Sequence, residues 1–271
     1  MEASSREALA VVRERLDELS RGSDGRALLS LSDELFAVAR LLEGQLSLRR
    51  ALSDPSGKPE DRAALAQRLF ASRLSDAALD LVETVARQRW SRPVDLVEAV
   101  TTLAIEAALD ASAARGELDD VEDELFRFGR IVGANRELQR ILSDPAAAEG
   151  KAALLDRLLD GRVSPVTQQL LRNVLTDPHV GDAERAIEHL SEMASRRRGR
   201  YVARVTSAVA LAPAQEQRLT DVLGRLYGRT IGLQVTVDPS VLGGLIVQVG
   251  DEVVDGSIAH RLEAARRRLA G

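Results

Sequence analysis

Two stretches of this 271-residue chain, ninety positions apart, are copies of one another, and that repeat limits the possible folds more than any other feature. Asp33-Glu34-Leu35-Phe36 returns as Asp123-Glu124-Leu125-Phe126. Leu48, Arg50, Leu52 and Ser53-Asp54-Pro55 return as Leu138, Arg140, Leu142 and Ser143-Asp144-Pro145. Ala63-Ala64-Leu65 then recurs one residue out of phase as Ala152-Ala153-Leu154. The period exceeds the roughly 20 to 50 residues of solenoid repeats, so each copy should be a small domain rather than one turn of an array. The first copy is expected over residues 1–92 and the second over 93–200, with Ser5-Arg6 and Ser91-Arg92 near their starts.

Within the copies the apolar spacing is helical. Leu9, Val12, Leu16 and Leu19 fall on one face, as do Leu28, Leu31, Leu35, Val38 and Leu42, and the latter set returns as Leu118, Val121, Leu125, Phe128 and Val132. Each Ser-Asp-Pro ends a helix, because proline disfavours helical geometry in the residue before it and has no amide hydrogen to donate. Asp54 and Asp144 therefore read as turn and capping groups rather than as paired catalytic carboxylates.

After Arg196-Arg197-Arg198-Gly199-Arg200 the period changes. Tyr201, Ala203, Val205, Ser207 and Val209 alternate with their neighbours as a strand does. Pro213 suits the first turn of a helix with the stripe Leu219, Val222, Leu223 and Leu226, which Gly228 would stop. Ile231, Leu233, Val235 and Val237 form a second alternating run, closed by a turn at Asp238-Pro239-Ser240. Leu245, Val247 and Val249 lead to a hairpin signal at Gly250-Asp251, and the chain returns through Val253 and Val254. Ser257 can cap a final helix whose Ile258, Leu262 and Leu269 share a face with Ala265. The expected fold class is mainly α: two tandem helical bundles followed by a small C-terminal α/β domain over 201–271.

Three blocks of this last segment closely resemble the carboxy-terminal signature of the ATP synthase delta subunit, or OSCP, family. They are Thr206-Ser207-Ala208-Val209-Ala210-Leu211, Val237-Asp238-Pro239-Ser240-Val241-Leu242-Gly243-Gly244-Leu245 and Gly250-Asp251-Glu252-Val253-Val254-Asp255-Gly256-Ser257-Ile258. The chain resembles a long form of the family in which the single usual bundle is present twice, although the family's Tyr-Ala-x-Ala-Leu start is not clear in either copy. The resemblance implies a non-catalytic stator role in the peripheral stalk. A bundle would grip the N-terminal segment of an alpha subunit, and the C-terminal module would meet the b subunit. It also implies a peripheral position on the cytoplasmic face of the cell membrane, with no cofactor. The signature residues Asp238, Pro239, Gly243, Gly244, Gly250, Asp251, Asp255, Gly256 and Ser257 are read as turn and cap chemistry, and Ile258, Leu262 and Leu269 as a candidate partner-helix face. A second bundle would add a second grip, giving avidity beyond either contact alone.

The remaining residues point away from other chemistries. Apolar residues at 45% and charged residues at 29% suit a folded globular chain. No apolar run approaches the roughly 20 residues of a membrane span, and the first residues lack a signal-peptide pattern, so the chain is expected in the cytosol or on a membrane's cytosolic side. Cysteine is absent, which excludes disulfides and thiolate metal sites. His179, His189 and His260 lack cysteine partners and an H-E-x-x-H pair, which argues against a metal site. Gly243, Gly244 and Gly250 open no Walker or G-x-G-x-x-G pattern and fit backbone turns. No elbow motif supports a serine nucleophile. The net charge of −5 and 3% aromatic content leave neither a global field nor a stacking platform for nucleic acid. The arginine run 196–200 reads as a solvated helix end and Trp90 as a packing residue. Lysine occurs only at Lys58 and Lys151 among 37 basic residues, an arginine skew that carries no functional weight in this reading. A helical adaptor with an appended α/β module is the alternative from another class.

Overall fold

The computed structural model describes residues 1–145, 148–200, 202–227, 231–239, 241, 243–249 and 252–255. It divides into two compact units, Met1–Ala194 and Ser195–Gly271. The helical part contains α1 (Ala3–Ser20), α2 (Gly25–Gly44), α3 (Leu46–Ser53), α4 (Pro59–Phe70), α5 (Asp76–Arg87) and α6 (Pro93–Ala114). It continues with α7 (Leu118–Ala134), α8 (Arg136–Ser143), α9 (Ala148–Leu159), α10 (Pro165–Leu175) and α11 (Ala183–Arg200). The later unit adds β1 (Val202–Ser207), α12 (Pro213–Tyr227), β2 (Gly232–Val237), β3 (Leu245–Val249) and β4 (Glu252–Asp255). The class is thus mainly α with a small C-terminal α/β unit, as the sequence pattern predicts.

The duplication is visible helix by helix. α1, α6 and α11 start at residues 3, 93 and 183, so the first helix of the repeat occurs a third time at the end of the second copy. Leu28, Leu31, Leu35, Val38 and Leu42 are all buried, and so are Leu118, Val121, Leu125, Phe128 and Val132. The glutamate of the repeated Asp-Glu-Leu-Phe block has a structural task that is the same in both copies. Glu34 accepts from the Ser75 amide and hydroxyl at 2.9 and 2.8 Å, and Glu124 accepts from the Ser164 amide at 2.9 Å and the Thr167 hydroxyl at 2.5 Å. Ser75 and Ser164 are themselves the N-caps of α5 and α10. A carboxylate on the second helix therefore tops the fifth, where the helix end presents free amides.

The two copies are joined by more than a linker. α6 is buried over nearly its whole circumference, with Leu96, Val100, Leu103, Ala104, Ala107, Ala108 and Leu109 in the core. A helix apolar on every side needs neighbours on every side. The start of α2 abuts the end of α6, where a Cβ at Gly25 would come within 2.8 Å of the Ala111 carbonyl oxygen. α1 runs parallel to α6 and in register with it. The Ser5 hydroxyl donates to Asp95 Oδ2 at 2.8 Å, the Ser20 hydroxyl to Asp110 Oδ2 at 2.8 Å, and the Arg13 guanidinium to Glu106 Oε1 at 2.8 Å. α6 opens the second copy in sequence and closes the first in space, so residue 92 divides two copies while residues 1–194 pack as one compact unit.

A buried cation recurs in both copies. Arg62 donates to the carbonyls of Ala86, Asp54, Gly57, Arg87 and Gln88 at 2.6–3.0 Å, tying the ends of α3 and α5 together. At the matching position Lys151 is fully buried and donates to the Leu142 carbonyl at 3.2 Å, at the end of α8. Asp54 anchors the turn after α3, its Oδ1 accepting from the amide and hydroxyl of Ser56.

In the second unit the strands order as β2-β1-β3-β4, with β1 parallel to β2 and antiparallel to β3, and β3 antiparallel to β4. Ala203, Val205, Leu223, Ile231, Val247 and Val249 form the core, with Leu211, Leu219, Tyr227, Leu233, Val235 and Leu245 packed against it. Val249 pairs with Glu252, leaving two residues for the β3–β4 connection. The predicted stripe of α12 is corrected in part: Leu219 and Leu223 face the sheet together with Tyr227, whereas Val222 and Leu226 are exposed. A short helix on a small sheet buries one ridge at i, i+4, i+8, and the ridge at 222 and 226 lies beyond it.

Burial pushes the Asp95 carboxyl up, but hydrogen bonds from Arg92 and Ser5 and the Arg92 charge outweigh it and hold it below the usual range. A carboxyl whose folded pKa lies below its unfolded value stabilises the fold above about pH 4 and loses that contribution as pH falls through the folded value. Asp95→Ala should cost roughly 1–3 kcal/mol at pH 7 and distinctly less at pH 3, as read from urea unfolding at the two pH values. Arg62→Met, which orphans several carbonyls at once, should cost on the order of 3 kcal/mol or more in the same assay. Burial lowers the pKa of Lys151, so the unfolded chain binds more protons in the alkaline range and stability should rise with pH towards about 10.5. Lys151→Met should flatten that rise.

Candidate functional site

The signature segment between β2 and β3 is a wound turn. The Asp238 amide donates to the Ser207 carbonyl at 2.8 Å, fastening the end of β2 to the end of β1. The Val241 amide donates to the Asp238 carbonyl at 3.1 Å, and the Gly243 amide to the Val241 carbonyl at 2.7 Å. Gly243 and Gly244 then adopt φ of 68° and 83°, the left-handed region that a side chain resists. These two glycines reverse the chain so that β3 enters beside β1, Leu245 opposite Ser207. Pro239 is exposed and Asp238 half-buried at the rim of the sheet.

Asp255 lies in β4 opposite Ile246. Gly250, Asp251, Gly256, Ser257, Ile258, Leu262 and Leu269 fall outside the described residues, so the turn, cap and partner-face readings at those positions have no structural counterpart here.

The described surface of this module carries exposed apolar side chains on the outer ridge of α12, where Val222 and Leu226 stand one turn apart, on β4 at Val253 and Val254, and at Val209 and Val237 near the ends of β1 and β2. β4 is the last strand of the described sheet, an edge whose backbone can accept a further chain. Groups of this kind bind surfaces, and they offer no nucleophile, base or oxyanion donor arranged around a reacting atom.

In the helical unit, Glu43, Asp177 and His179 bring ligand-type atoms within 4.8 Å of one another. Burial raises the Glu43 carboxyl above its usual range and the Asp177 charge adds to this, while His179, Arg40 and Arg49 oppose the shift. His179 is exposed, its Nδ1 3.1 Å from Asp177 Oδ1. With two guanidinium groups already lending positive charge to Glu43, the cluster reads as a charge-balanced joint between the end of α2 and the segment after α10. His189 is exposed on α11, and Trp90 is buried with its indole N–H donated to the Val85 carbonyl at 2.9 Å. Among the described residues no helix is long and apolar enough to cross a membrane.

What sequence reasoning missed is the buried cation pair Arg62 and Lys151 and the sharing of α6. The signal for the first was present, since both residues stand directly before the repeated Ala-Ala-Leu.

A repeated helical bundle followed by a small sheet module with exposed apolar side chains is the architecture of a protein that binds other surfaces. The profile of the family described as ATP synthase delta (OSCP) subunit matches residues 105–269, which spans the second half of α6, the rest of the second copy and the sheet module. Similar proteins named ATP synthase subunit delta occur in Streptomyces griseus, 48% identical over 272 residues and covering 100% of both chains, and in Streptomyces coelicolor, 51% identical over 271 residues, 100% of this chain and 98% of the relative. A third, from Thermobifida fusca, is 43% identical over 272 residues with 100% of both chains covered. The chain belongs to the ATP synthase delta (OSCP) subunit family. These alignments run through the first copy, so the two-copy layout is shared with those relatives.

The turn geometry has a direct consequence. Gly243→Ala and Gly244→Ala should each destabilise the sheet module by about 1–2 kcal/mol, the cost of a side chain in the left-handed region. Hydrogen exchange should report faster opening of the β1–β3 ladder, with α1–α10 unaffected.

Proposed function

We infer that this chain is the non-catalytic peripheral-stalk subunit of a rotary, proton-translocating ATP synthase, holding the catalytic head still against the turning rotor. The observation that carries the reading is the family match through the second copy and the sheet module, together with full-length relatives named as that subunit. Its work is mechanical: contacts must persist through each turnover, which calls for slow dissociation rather than fast chemistry. No bond is made or broken by its residues.

The finer assignment places a helical copy against the N-terminal segment of an alpha subunit, by helix-in-groove packing, and the sheet module against the b subunit. The exposed ridge Val222 and Leu226 and the β4 edge are the surfaces that the b contact would cover. The chain would then lie at the cytoplasmic face of the cell membrane, held there through the complex. In this reading the segments 1–92, 93–200 and 201–271 are its three units of descent, and the added first copy gives the stalk a second point of attachment. Deleting residues 1–90 would not test that point cleanly, because it would strip α1 and α2 from the buried faces of α6.

Membranes depleted of this chain should hydrolyse ATP at the normal rate yet lose most ATP-driven proton pumping, and adding back the purified chain should restore it. Pumping that persists at full strength without the chain would overturn the stator reading. Val222→Glu with Leu226→Glu should weaken rebinding about tenfold or more, the scale of uncovering one or two apolar side chains, as measured by titrating pumping against added chain.

A further inference from the structure

The solvent side of α12 carries charges that the fold of the module leaves unused. Leu219, Leu223 and Tyr227 turn towards the sheet. At about 100° per residue, Arg218, Val222, Arg225 and Leu226 fall together in a neighbouring sector of the helix, and all four are exposed. Among the described residues neither Arg218 nor Arg225 forms an ion pair or a side-chain hydrogen bond. Asp221 stands one turn from each, but its Oδ1 accepts instead from Gln217 Nε2 at 2.9 Å. Arg225 lies in the last turn, where a cation gains from the helix dipole; Arg218 lies in the other half of the helix and gains nothing from it.

The spacing says what would fit. Seven residues separate the two guanidinium groups, about 10.5 Å along the helix axis. Val222 stands between them and Leu226 one turn beyond it. An apolar strip framed by cations two turns apart is complementary to a helix of the opposite pattern, with an apolar stripe framed by carboxylates at the same interval. A bilayer fits less well. Anionic membranes attract clusters of roughly four to eight cations, whereas this stripe has Arg218 and Arg225 with Asp221 beside them.

We propose that Arg218, Val222, Arg225 and Leu226 of α12 dock an acidic amphipathic helix of another subunit, with aspartate or glutamate side chains seven residues apart pairing with the two arginines. The inference rests on the stalk reading and adds the chemistry of the partner to the apolar ridge contact. Val222 and Leu226 supply the buried surface. The arginines set partner choice and register, because a planar guanidinium recognises a carboxylate in a defined geometry and rim charges select more than they bind.

The chain contains no cysteine, so Val222→Cys provides a single attachment point for a benzophenone maleimide. Irradiating the assembled complex should give an adduct to a different subunit, in a helical segment with two acidic residues seven apart. In depleted membranes titrated with added chain, Arg218→Glu with Arg225→Glu should raise the amount needed for half-maximal pumping about tenfold or more, and Arg218→Gln with Arg225→Gln about fivefold. The glutamine pair should also make rebinding less sensitive to salt than it is for the native chain, since exposed ion pairs are screened beyond about 10 Å at 0.1 M salt. The unfolding midpoint of the isolated chain should not change. If the native chain never joins the complex, the stalk reading itself falls. If it joins but gives no adduct, an adduct only to its own chain or to lipid, or an adduct in a segment without paired acids, the docking proposal falls and the stalk reading stands. Rebinding indifferent to both arginine pairs overturns it in the same way. So does unchanged rebinding combined with lost binding to phosphatidylglycerol vesicles, which would assign the stripe to the membrane.

Discussion

The helical unit depends on the burial of α6. Its alanine-rich surface lets neighbouring helices approach closely, and its acids at 95, 106 and 110 are met by Ser5, Arg13 and Ser20 of α1. An unpaired carboxylate there would be costly, whereas a hydrogen-bonded one sets the register of a parallel helix pair over about four turns. The identity of the partners matters more than the charge alone, since each serine is ninety residues from its acid and so marks the same position in the repeat.

Around that helix the two copies have kept their skeleton and altered their sockets. The glutamate caps at 34 and 124 are retained, as are the leucines that follow them at the core. The buried cation is retained as charge but not as residue: a planar guanidinium reaches five carbonyls at Arg62, a task that a single ammonium at Lys151 cannot copy. On the outer stripe of the second helix, Leu29 and Ser32 become Asp119 and Glu122. Constraint is tightest where polar groups must be satisfied inside.

Much of this organisation was legible in the sequence. The spacing of Leu118, Val121, Leu125, Phe128 and Val132 identified a buried face that the structure contains residue for residue. The alternation at 231–237 and 245–249 likewise identified β2 and β3. What was not legible depends on long-range pairing. Periodicity cannot reveal that α6 is used by both copies, because a helix buried on all sides has no polar face to betray its neighbours. Nor can a stripe of four apolar residues on α12 say which ridge a sheet of four strands will cover, and of that stripe Val222 and Leu226 lie outward. The three signature blocks located the sheet module, but only the fold shows that Asp238 acts through its backbone amide, at the end of β1.

The sharing of α6 has a mechanical consequence. A rod of 22 residues at 1.5 Å per residue is roughly 33 Å long, and here it forms part of two bodies at once. Torque delivered to either copy is carried along the same rod, with no soft joint at residue 92 to absorb it. Twisting one copy against the other would have to break the serine and arginine contacts along α1 together rather than one by one. The shared rod thus ties the two copies into a single mechanical member.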